Sequence, residues 1–92
     1  MKRIERKLFR ISDEIEAIRR AEQLAIEELT YHEHLNDDTQ RDAAVSGSPV
    51  DRADARETAS DVARFERHIA GLRERREQLE AKRATLLGKI SD

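Results

Sequence analysis

The chain has 92 residues, 41% of them charged and only 3% aromatic, with mean hydropathy -0.86 and net charge -2. So polar a composition excludes a thick globular core, and it leaves room only for a narrow apolar seam between long helices. The absence of cysteine excludes a disulfide framework and a cysteine-ligated zinc site, and no apolar run approaches the roughly 18 residues that span a bilayer.

From the N-terminus, Ile4, Leu8, Ile11, Ile15, Ile18, Glu22, Ala25, Leu29, His32 and Asn36 recur at alternating spacings of four and three. That is a heptad seam on one helix, uninterrupted by Gly or Pro and most apolar in its first half. A helix over about 2–36 would be roughly 50 Å long. The opening segment is charged and lacks the apolar stretch of a signal peptide, so a cytoplasmic protein is expected.

Residues 36–48 are rich in turn formers: Asn36, Asp37, Asp38, Asp42, Ser46, Gly47 and Ser48. Thr39 to Val45 either extends the first helix or forms a separate helical turn, and Gly47 suits a helix C-terminus. The start of the second helix is clearly signalled. Ser48 is a good N-cap, Pro49 takes the first helical position, and Asp51 takes the third, where a carboxylate can reach back to the cap. Asp51, Asp54 and Glu57 also favour the positive end of the helix dipole.

A second seam follows in Ala55, Thr58, Val62, Phe65, Ile69, Leu72, Arg76, Leu79, Arg83, Leu86 and Ile90. Folding the two seams about Gly47 predicts an all-α antiparallel two-helix coiled-coil hairpin, with helix 2 near 49–90 and an acidic tip near 37–57. It sets Leu8 against Leu86, Ile15 against Leu79, Ala25 against Ile69 and Leu29 against Phe65. Glu22 falls within a turn of Arg76, so the polar seam positions are expected to pair and hold the register. A chain with so little to bury is marginal alone, and a second copy or a larger partner is expected to stabilise it.

Charge is unevenly spread. Residues 1–35 carry 7 basic and 8 acidic side chains, residues 36–61 carry 3 and 7, and residues 62–92 carry 8 and 5. The bend is the acidic part, which phosphates would repel, and no strong basic footprint of a nucleic-acid binder is present. His32 and His34 are two residues apart, so on a helix they point to different faces and make a poor metal pair. No metal or cofactor is expected. Nor is an enzyme: the serines are cap and turn residues, and a two-helix hairpin offers no cavity that excludes water. Phe9, Leu24, Ile26, Leu35 and Leu87 lie off the seams. They are either scattered exposed apolar residues or a second stripe for a partner or a homodimer, with Phe9, Leu24 and Leu87 as the docking face.

The stretch Pro49-Val50-Asp51-Arg52-Ala53 resembles the coiled-coil tip of the DksA/TraR family, in which a motif Asp-Pro-x-Asp-x-Ala opens the second helix. The resemblance spans mainly residues 48–76. It implies a non-enzymatic transcription modulator that binds RNA polymerase in its secondary channel. Asp51 would be the effector acid, Ala53 the close-contact residue, and Arg52, Asp54 and Arg56 the channel contacts. Two departures stand out: Ser48 replaces the first acid of the motif, and the family's four-cysteine zinc region has no counterpart in these residues. The competing expectation is a structural or adaptor coiled coil that works through its helix faces.

Overall fold

The computed structural model describes residues 2–91 and contains two helices, α1 (Lys2–Ser46) and α2 (Pro49–Ser91), packed against each other as an all-α antiparallel hairpin. Only Gly47 and Ser48 separate them. Helix 1 therefore runs ten residues beyond the expected end near 36, and the acidic tip is helical on both sides of a two-residue turn. The polar residues 36–38 do not break it because the seam continues through Thr39 and Ala43, both half-buried at the same three-and-four spacing. The segment is further supported by Gln40 donating to Asn36 Oδ1 at 3.0 Å and by the Arg41–Asp38 ion pair at 3.7 Å.

The chain divides into two compact units, one formed by α1 up to Gln23 with α2 from Ala70, the other by Leu24–Ile69. The first holds the apolar core. Ile11, Ile15, Leu79 and Leu86 are buried together, with Ile4, Leu8 and Ile18 packed against them. Ile15 is the most enclosed, at 1% exposure. Ile15 and Leu79 thus share the core as the seam arithmetic requires. Ile90, assigned to the seam, is half-exposed in the last turn of α2.

A charged layer lies in the same unit. Arg76 donates from Nε to Glu22 Oε1 at 2.6 Å and from Nη2 to Glu22 Oε2 at 3.4 Å, a forked pairing that binds both carboxylate oxygens. Arg76 also reaches Glu80 at 3.3 Å, and Arg19 donates to Glu80 at 2.9 Å. Hydrogen bonding to Glu22, then to Glu80, raises the Arg76 pKa above its ordinary value, and the bond from Arg19 lowers that of Glu80. Glu22 is buried, yet among the described residues no buried side-chain nitrogen or oxygen lacks a partner.

The second unit packs small and polar groups. Ala25, Ala55 and Ile69 are buried. His32 stacks on Phe65 with ring centroids 4.6 Å apart, one turn further along α1 than the Leu29 partner expected. Asn36, Thr39, Gln40 and Thr58 form a hydrogen-bonded layer. The Thr39 and Thr58 hydroxyls lie 2.6 Å apart, Thr58 donates to Asn36 Oδ1 at 3.0 Å, and Gln40 donates across to the Ala55 carbonyl at 2.9 Å. Each hydroxyl has one proton, which a chain from Thr39 to Thr58 to Asn36 accommodates.

Candidate functional site

Among the described residues, the turn and the surface around Phe9 both present apolar side chains to the outside. The turn is closed by two devices. Gly47 has φ +63°, the left-handed conformation that glycine adopts without cost, and its N–H bonds the Ala43 carbonyl at 2.9 Å to end α1. On the other side Ser48 caps α2. Its hydroxyl accepts the Asp51 N–H at 3.1 Å, and its carbonyl accepts the Arg52 N–H at 3.0 Å.

The Asp51 carboxylate does not reach back to the cap directly. The Ser48 N–H donates to the Ser46 hydroxyl at 3.2 Å, and that hydroxyl donates to Asp51 Oδ2. Ser46 therefore stands between the two halves of the expected capping box. Sequence reading missed this because it depends on where the serine of the preceding helix lands once the turn has closed. The sequence signal was only a serine on each side of Gly47.

Asp51 is consequently half-buried and already engaged, whereas Arg52, Ala53, Asp54 and Arg56 are exposed. Arg52 and Arg56, with Gln40, Ala43, Ala55 and Ala59, line a shallow depression beside the turn. Two apolar side chains flank the turn, Val45 at 85% and Val50 at 69% exposure.

Phe9 and Leu87 come together in the first unit. With Leu8 they form the apolar floor of a groove bordered by Glu5, Ser12 and Arg83. Phe9 is 70% exposed, which marks it as surface and not core. Leu24 is exposed too; it belongs to the other unit and is not among the residues lining this groove. Ile26 and Leu35 are half-buried along their helix.

The two units carry opposite charge. Residues 1–23 and 70–92 hold 13 basic and 9 acidic side chains, and residues 24–69 hold 5 and 11. Residues 3–10 and 82–89 contain seven cations and a single acid, Glu5, but only Glu5 and Arg83 border the groove, and Arg3, Arg6, Lys7 and Arg10 line a separate depression. None of these seven makes an ion pair among the described residues.

Among the described residues no cluster of three or more His, Asp or Glu is arranged to hold a metal, and no helix is long and apolar enough to cross a membrane. His32 is a half-buried seam residue and His34 is exposed, so the two part faces as their spacing requires. Comparisons with protein-family models, with curated proteins and with solved structures find no match to the chain.

Proposed function

We propose that the hairpin is a binding module that presents its turn, and the first residues of α2, to another protein. The observation that carries this is the pairing of a firmly closed turn with unsatisfied surface chemistry. Gly47 and Ser48 hold the backbone, while Val45, Val50, Arg52, Asp54 and Arg56 project outward. A pre-ordered turn loses little conformational entropy on binding. Apolar side chains between charges of both signs suit a partner pocket with an apolar floor and a rim of mixed charge.

The specific form of this reading is a modulator of RNA polymerase entering the secondary channel. Residues 49–53 support it through their resemblance to the DksA/TraR tip, and the exposure of Arg52, Ala53, Asp54 and Arg56 is compatible with it. In this form Asp51 gives up its bond to Ser46 in order to act on the enzyme. Transcription by purified bacterial RNA polymerase separates the roles. Asp51→Asn is expected to abolish the effect, while Ser46→Ala, which frees the carboxylate, preserves or strengthens it. Equal transcription with and without the wild-type chain would sink the polymerase form.

The adaptor reading is favoured by a different observation, the exposed groove of Leu8, Phe9 and Leu87. There the surface of the first unit does the binding, and substitution of Phe9 abolishes assembly while changes at Asp51 are tolerated.

A further inference from the structure

We infer that a basic trough in the first unit, separate from the turn and from the Phe9 groove, binds the phosphate backbone of a double-helical nucleic acid. This goes beyond the reading of the hairpin as a binding module and uses none of the residues that reading invokes.

Two depressions run into one another. One is lined by Arg3, Arg6, Lys7 and Arg10. The next shares Lys7 and Arg10 and adds Glu14, Arg75, Gln78 and Lys82 over a floor of Ile11 and Leu79. All six cations are exposed. Glu14 is the single acid of this lining, and Arg75 holds it at 3.5 Å. The other five cations make no ion pair among the described residues.

Composition hides this surface, because the net charge of the whole chain is -2. Helix geometry collects it. Arg3, Arg6, Lys7 and Arg10 follow the three-and-four spacing of one helix face, and the antiparallel return of α2 sets Lys82 beside them. The four cations of α1 extend over about 10 Å at 1.5 Å per residue. Phosphates of one strand advance about 3.4 Å each along a duplex, so the row meets about four in succession. Three of the four are arginines, whose planar fork takes two phosphate oxygens at once.

Other anionic partners fit less well. A membrane surface calls for apolar side chains beside the cations, and the apolar residues of this lining, Ile11 and Leu79, are buried. Unpaired strands call for aromatic platforms, and no aromatic residue lines either depression. Contact to phosphates alone carries no sequence information. Binding is therefore non-specific and weak, within about 10⁻⁴–10⁻⁶ M at physiological salt.

The test is fluorescence anisotropy of a labelled DNA duplex of mixed sequence, titrated with the purified chain between about 50 and about 200 mM salt. Five phosphate contacts predict that the logarithm of the association constant falls against log salt with a slope of about -4.5. Arg6→Gln with Arg10→Gln removes two contacts and is expected to bring the slope to about -2.7. Arg20→Gln with Arg67→Gln makes the same change in net charge at exposed positions outside the trough, and is expected to leave the slope as it was. Glu14→Gln removes the acid and releases Arg75, so it is expected to tighten binding and steepen the slope by about one. Circular dichroism checks that each variant keeps its helicity.

A wild type that fails to bind the duplex at the lower salt would overturn the proposal. So would equal losses from the two arginine pairs, which would make net charge the cause, or a Glu14→Gln variant that binds no more tightly. Single strands of the same sequence, vesicles of an anionic phospholipid and polyglutamate serve as competing probes. Any of them bound more tightly than the duplex would also overturn it. None of these outcomes touches binding of the turn to a larger protein, which the transcription assay reads separately.

Discussion

Ile15→Ala tests the packing argument most directly. Ile15 is 1% exposed and packs with Ile11, Leu79 and Leu86 in the apolar cluster of its unit. Truncating a buried isoleucine to alanine costs about 2–5 kcal/mol, depending on how far the surroundings collapse into the space. Two helices with solvent on either side can relax more than a closed core, so about 3 kcal/mol is the appropriate figure. Against a total of roughly 5–14 kcal/mol for a chain of this length, that is a large share. It corresponds to a fall in Tm of about 12–24 °C, at about 4–8 °C per kcal/mol for a domain of this size. Ile15→Val should lose about 1 kcal/mol. The assay is thermal and urea unfolding followed by helical circular dichroism, at high salt so that any association is screened. Phe9→Ala is the control, because an exposed substitution stays within about 0.5 kcal/mol. If Ile15→Ala shifts the transition no more than Phe9→Ala, the seam does not hold the first unit together as described.

Gly47→Ala leaves the new methyl in open space but forces it into the left-handed region, so it should cost about 1–2 kcal/mol by the same unfolding assay. A D-alanine introduced at this position by chemical synthesis should recover the loss. The Glu80 carboxyl is held below its ordinary value, chiefly by the hydrogen bond from Arg19. A depressed carboxyl contributes stability above its unfolded value, near 4.5, and that contribution fades as pH falls through the folded value. Arg19→Gln should therefore move the Glu80 NMR titration upward and narrow the stability gap to wild type below pH 4.5. An unchanged Glu80 titration would refute the assigned cause.

Much of the fold was legible because a narrow seam leaves a simple periodic trace. Ile11, Ile15, Leu79 and Leu86 occupy the core their spacing requires, and the polar seam residues Glu22 and Arg76 find each other across the helices. Ser48, Pro49 and Gly47 marked the turn because each has a distinct backbone role. The end of α1 was less legible. Asn36, Asp37 and Asp38 read locally as turn formers, but the seam positions Thr39 and Ala43 pack against α2, and tertiary contact outweighs local preference. At the candidate site, the placement of Arg52, Asp54 and Arg56 on the surface was legible from helical geometry. The engagement of Asp51 by Ser46 was not, since it arises from two side chains meeting across a bend. The meeting of Phe9 and Leu87 was legible, since folding the seams about Gly47 brings positions 9 and 87 together.

The contacts near the turn differ from the rest in a way that bears on how the chain folds. Gln40 and Ala55 are 15 residues apart and Thr39 and Thr58 are 19 apart, whereas Glu22 and Arg76 are 54 apart and Arg19 and Glu80 are 61 apart. Closing a loop of 61 residues costs about 1 kcal/mol more than closing one of 19. The hydroxyl and amide pairs are thus the cheapest to reach, though they bury the least oil. The natural order is a zipper that starts at the bend and runs outward, with the isoleucine cluster locking last and setting the rate at which the legs come apart.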